Sequence, residues 1–232
     1  MAVEMQALIL TAISIAFLHT LTGPDHYMPF IALAKARGWS AGKTIGWTLT
    51  CGIGHVLSSV LLGLGGAAIG WSFATISWLE NVRGSFAGWL MFAFGVLYTG
   101  WGVIRMYANK SHKHFDLDSE GGLYVYDHKH GNSSIQERLK VTPWVMFVIF
   151  ILGPCEPMIP LLYYPTAQNN WEGMLLLIVV YTLCTLVTML ALVLLGFYGI
   201  AFSATNKLEK YIHVLGGSAI AICGAGMLWL GW

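Results

Sequence analysis

Long apolar runs separated by short polar connections fill most of this chain. Six of them are long enough to cross a hydrocarbon core, which takes about 20 helical residues. They run over Met5–Ala34, Thr44–Ile69, Ser85–Tyr107, Pro143–Pro165, Gly173–Ile200 and Tyr211–Gly231. Two runs carry a helix-breaking Gly-Pro followed by metal-binding side chains: Gly23-Pro24-Asp25-His26 in the first and Gly153-Pro154-Cys155-Glu156 in the fourth. A proline inside a helix removes one hydrogen bond and clashes with the preceding turn. Each of these runs is therefore predicted to be two half-helices around an irregular turn. Pro143 sits where a helix can begin, and the other six prolines (24, 29, 154, 157, 160 and 165) all fall in the two motif segments.

The predicted elements repeat. A shift of 133 positions pairs Cys51 with Cys184, Val60-Leu61-Leu62-Gly63 with Val193-Leu194-Leu195-Gly196, and Gly84-Ser85 with Gly217-Ser218. Each half holds three helices, an odd number, so the second copy enters the membrane from the opposite side. The expectation is an all-α polytopic membrane protein: six transmembrane helices as a 3+3 inverted repeat, broken at the Gly-Pro motifs of helices 1 and 4. The first repeat covers 1–107, a His-containing loop 108–142, and the second repeat 143–232. The first run lacks the basic start and cleavage site of a signal peptide and is read as a retained helix.

Composition narrows the class. The chain has 232 residues, is 56% hydrophobic and only 10% charged, with a mean hydropathy of +0.66. Soluble domains carry about 25% charged residues, so water-soluble readings are set aside. A net charge of +1 without a basic stripe excludes nucleic acid as a partner. The four cysteines all lie in apolar runs, which is not a secreted disulfide framework.

Charge sets the predicted orientation. With six crossings, Lys35, Arg37, Lys43, Arg105, Lys110, Lys113, Lys129, Arg138, Lys140, Lys207 and Lys210 fall on one side and Arg83 alone on the other. The positive-inside rule makes the rich side cytoplasmic and puts both termini outside. The cytoplasmic loop holds His112, His114, His128 and His130. These histidines are a candidate for capturing metal or docking a cytosolic metal-handling partner, and a plain solvated loop is the alternative. A homo-oligomer is also left open.

The chemistry concentrates at the breaks. His19 lies about two helical turns before His26, so both can share a face. His55 sits among small residues in Cys51-Gly-Ile-Gly54-His55, which permit close helix approach. The second break adds Cys155 and Glu156. Ionisable groups are costly in lipid and default to function. The predicted metal site is His19, Asp25, His26, His55, Cys155 and Glu156, with Asp25 either ligating or accepting a histidine N–H. Carbonyls freed by Gly-Pro are further candidate ligands, and His213 is a weaker one. Imidazole with thiolate suits nickel, cobalt, zinc, iron or copper.

His19-x5-Asp25-His26 with its Gly-Pro, followed by Gly54-His55, resembles the urease-accessory-type (UreH-type) nickel permeases. These are relatives of the nickel/cobalt transporters in the LysE, TauE/SafE and cytochrome c biogenesis membrane superfamily. The resemblance implies a transporter of nickel or cobalt in a bacterial inner (plasma) membrane, with alternating access to a central site and no catalytic residues. The signature of the nickel/cobalt transporters is one residue shorter than the one here. Leu152-Gly-Pro-Cys-Glu-Pro-Met-Ile-Pro160 looks like the Pro-Cys-x-x-Pro element of thiol-disulfide electron conduits, and such a membrane thiol oxidoreductase is the alternative. An anion or sulfur-compound exporter would favour Arg or Lys within the helices, where the sequence reading places none.

Overall fold

The computed structural model describes residues 2–108, 112–117, 123–128, 142–155, 157–161, 170–203 and 211–231. The helices are α1 (Ala2–Thr22), α2 (Met28–Ala36), α3 (Ala41–Ala68), α4 (Phe73–Ala108), α5 (Thr142–Leu152), α6 (Trp171–Ser203) and α7 (Ile212–Trp229). Among the described residues, five stretches are long and apolar enough to cross a membrane: Glu4–Thr22, Ala41–Gly66, Phe73–Tyr107, Trp171–Gly199 and Ile212–Trp229. Their outer faces expose large apolar side chains such as Leu10, Leu97 and Leu195. A helix satisfies its own backbone, so such faces are stable against lipid chains. The chain is an integral membrane protein. Pro143–Leu152 is a shorter apolar helix, and a helical turn follows at 158–161.

One boundary differs from expectation. The third apolar run was expected to start at Ser85, whereas α4 starts at Phe73. Glu80 and Arg83 lower the local hydropathy, but they form an ion pair inside the protein, three residues apart on the same helix. Arg83 therefore lies within a helix, and so do Lys35, Lys43 and Arg105, contrary to the expectation that no Arg or Lys would. In the loop, His112–Leu117 (β1) and Leu123–His128 (β2) pair as an antiparallel ribbon with His112 opposite His128. His130 lies outside the described residues.

The longest helix contact is α4 against α7. Gly88, Gly95 and Gly102 of α4 recur every seven residues, and a Cβ at any of them would meet α7 at Leu228, Ala221 or His213. Gly217 and Gly224 of α7 would likewise collide with Thr99 and Phe92 of α4. Without an apolar driving force in lipid, helices associate through close backbone packing at small residues, and this glycine seam provides it. The other main contacts are α1 with α6, α7 with α2, and α3 with both α5 and α6. The two breaks meet between these pairs.

Candidate metal centre

His19 is in the last turn of α1, on the side that buries Ala12 and Ala16. The helix stops at Thr22 because Pro24, lacking an N–H, cannot bond the Thr20 carbonyl. Gly23 closes the turn by donating its N–H to the His19 carbonyl at 3.0 Å, and Pro24–His26 form one turn of 3₁₀ helix. This doubling-back sets the His26 ring 4.7 Å from the His19 ring, edge to face. A Cβ on Gly23 would stand 2.8 Å from His26 Nδ1 and 2.9 Å from Asp25 Oδ1, so the turn needs glycine.

The third imidazole comes from α3. The His55 ring is 5.1 Å from that of His26, nearly perpendicular to it. One ring nitrogen from each of His19, His26 and His55 lies within 4.8 Å of the others. His26 and His55 are buried, with 2% and 4% of their surface exposed, and Asp25 with 8%.

Hydrogen bonding determines which nitrogens face the centre. His26 Nδ1 lies 3.2 Å from the Gly23 carbonyl and 3.2 Å from Asp25 Oδ2. Both are acceptors, so Nδ1 carries a proton, and in the neutral imidazole Nε2 keeps its lone pair. His55 Nδ1 donates to the Phe150 carbonyl at 3.2 Å, which leaves its Nε2 in the same state. The Nε2 atoms of His19, His26 and His55 are all buried with no hydrogen-bond partner. Buried ring nitrogens left without a partner are costly unless something binds them. Metal-ligating histidines typically donate their other N–H to a carbonyl or carboxylate, as His26 and His55 do here.

The site opens into a cavity of about 300 Å³. His19, Asp25, His26 and His55 form one wall, Asn81, Gly84 and Ser85 of α4 another, and Phe150, Gly153 and Pro154 a third, with Met91 and Met227 alongside.

The second break holds the helix that orients His55. Pro154 has no N–H to give the Phe150 carbonyl, which accepts from the Gly153 N–H at 3.1 Å and from His55 Nδ1 at 3.2 Å. The next freed carbonyl, Ile151, accepts from Arg83 Nη2 at 2.8 Å, and Gly153 does so at 3.3 Å. These carbonyls of the second break bond to side chains.

The remaining predicted ligands separate. Asp25 lines the cavity, with Oδ2 3.2 Å from His26 Nδ1 and Oδ1 buried without a hydrogen-bond partner. Cys155 is not part of the three-nitrogen cluster. It packs among Ala12, Ala16, Val56 and Tyr181, its N–H donates to Ser59 Oγ at 3.1 Å and its thiol to the Tyr181 hydroxyl at 3.4 Å. Glu156 lies outside the described residues. His213 is elsewhere, between the Tyr98 hydroxyl at 3.1 Å and Arg105 at 3.0 Å.

Sequence reading missed Arg83, Glu80, Ser58 and Ser59. The signal available was Glu80 and Arg83 three residues apart, immediately before the repeated Gly84-Ser85. Compared with known proteins, the chain matches no family model, no curated protein and no solved structure.

Proposed function

We propose that the chain is a membrane transporter of a divalent transition-metal ion, bound in passage by the three imidazoles of His19, His26 and His55. One observation carries this reading: three imidazoles whose Nε2 atoms are buried and unpartnered, with one ring nitrogen of each within 4.8 Å of the others, inside a membrane protein. Bonds of about 2 Å to a shared ion bring ligand nitrogens within roughly 4 Å of each other. The nitrogens here lie within 4.8 Å of one another, so an ion could gather them with a small adjustment. A transported ion needs binding weak enough for release. Nitrogen donors favour nickel, cobalt, zinc or copper over calcium and magnesium, which take oxygen. Nickel or cobalt is the choice that the motif resemblance favours.

The six-crossing inverted repeat also belongs to this proposal, with Pro143–Leu152 and the turn after it as the fourth, broken crossing. The contacts α1–α6 and α5–α3 exchange under the repeat operation, and α3–α6 and α4–α7 map onto themselves; all four pairs pack. Charge asymmetry orients the assembly with the loop cytoplasmic and both termini outside. Rocking of the two halves about the site would expose it alternately to either face.

The test is the metal content of purified protein after dialysis against nickel, cobalt and zinc. About one ion per chain in the wild type, lost in His26→Ala and His55→Ala, is the expected result. Equal metal in all three proteins would exclude this site, and a reversible cysteine pair with no metal would favour the thiol-disulfide conduit.

A further inference from the structure

We propose that Arg83 is a positioning residue for the metal site, acting through the end of α5 without touching the ion. The inference rests on the metal-binding reading above. The end of α5 has three carbonyls in a short stretch, at Phe150, Ile151 and Gly153. His55 holds the first, and the Arg83 guanidinium holds the other two. Its Nη2 also donates to Ser58 Oγ at 2.8 Å, on the same helix as His55. Arg83 therefore fastens α5 to α3 beside the bond that fixes the His55 ring.

The charge of Arg83 is compensated locally. Its Nη1 donates to Glu80, a fully buried carboxylate whose other oxygen accepts from Ser59 Oγ at 3.3 Å. Ser59 in turn accepts the Cys155 N–H, so the network spans the Gly-Pro break on both sides. A planar guanidinium can hold a carboxylate and carbonyls together in a fixed fork, which a lysine ammonium cannot. With Glu80 beside it, the guanidinium grips the helix end while adding little net positive charge next to a cation site.

The experiment uses the full chain in detergent. In protein labelled with ¹⁵N-histidine, with the His55 signals assigned by His55→Gln, the wild type is expected to show His55 as a single Nδ1–H tautomer. Arg83→Met should give mixed tautomers, and Arg83→Lys should recover part of the wild-type signature. Cobalt(II) titration should show affinity reduced about tenfold in Arg83→Met, the lower end for residues that orient metal ligands, with a changed ligand-field spectrum. Should Arg83→Met not fold, Arg83→Lys and Glu80→Gln carry the test, each with an intermediate loss. An unchanged His55 tautomer in the folded variants overturns the proposal. A wild type that binds no cobalt would defeat the metal reading instead, and the metal-free tautomer measurement would still decide the role of Arg83.

Discussion

Nδ1 of His55 donates to the carbonyl of Phe150, 3.2 Å away and 95 positions along the chain. Pro154 leaves room at that carbonyl by supplying no N–H, and His55 shares it with the Gly153 N–H at 3.1 Å. One half of the molecule thus fixes the tautomer of a candidate ligand in the other half. The second Gly-Pro motif holds an imidazole of the candidate site; of the two ligands the sequence pointed to there, Cys155 bonds Tyr181 and Glu156 lies outside the described residues.

Cys155→Ser should accordingly leave nickel or cobalt affinity within about twofold of wild type. The thiol is bonded to Tyr181 and surrounded by apolar side chains, and a hydroxyl can make the same bond. Isothermal titration of the purified variant checks this. A tenfold loss would return the thiol to the ligand set.

Asp25→Asn keeps an acceptor near His26 Nδ1 but removes the negative charge. If Asp25 acts by orienting His26 and raising its basicity, metal affinity should fall about 10–100-fold while the protein stays folded. Competition with a chelating dye measures the change. Wild-type affinity in this variant would show that the Gly23 carbonyl alone suffices.

Gly23→Ala forces a methyl against His26 Nδ1, Asp25 Oδ1 and the His19 carbonyl, all at 3.0 Å or less. The turn must open, and the expected result is loss of metal binding comparable to His26→Ala. Normal binding would mean that the turn yields without disturbing the imidazoles.

The glycine seam makes a separate prediction about stability. Gly95→Ala and Gly224→Ala push a methyl into the backbone of the facing helix and should destabilise by about 1–3 kcal/mol or more. Gly100, on the same helix as Gly95, has nothing within 4 Å of its Cβ position. Gly100→Ala should be neutral or stabilising by up to about 1 kcal/mol. Thermal unfolding in detergent compares them, and equal shifts at Gly95 and Gly100 would count against the seam.

Much of the site could be read from the residues themselves. His19, Asp25, His26 and His55 carry chemistry that is expensive in lipid, and the Gly-Pro between them announces a turn that gathers them. What could not be read is which groups a freed carbonyl selects. Arg83 looked like a stray charge outside the membrane because hydropathy counts charges singly, whereas its pairing with Glu80 makes both tolerable in a helix. Cys155 looked like a ligand because its place in the repeat matches Asp25. Where a side chain points after such a break lies outside sequence reading, and its thiol went to Tyr181. The glycine seam was present as Gly88, Gly95 and Gly102, but small residues are frequent in membrane helices and do not name their partner.

The most direct measurement is flux of radiolabelled nickel or cobalt across liposomes containing the purified chain. Wild-type protein is predicted to carry the ion, with His26→Ala and His55→Ala each reducing the rate at least tenfold and Cys155→Ser leaving it unchanged. Flux that is undiminished in the two histidine variants, or absent from the wild type for every transition metal offered, would contradict the account.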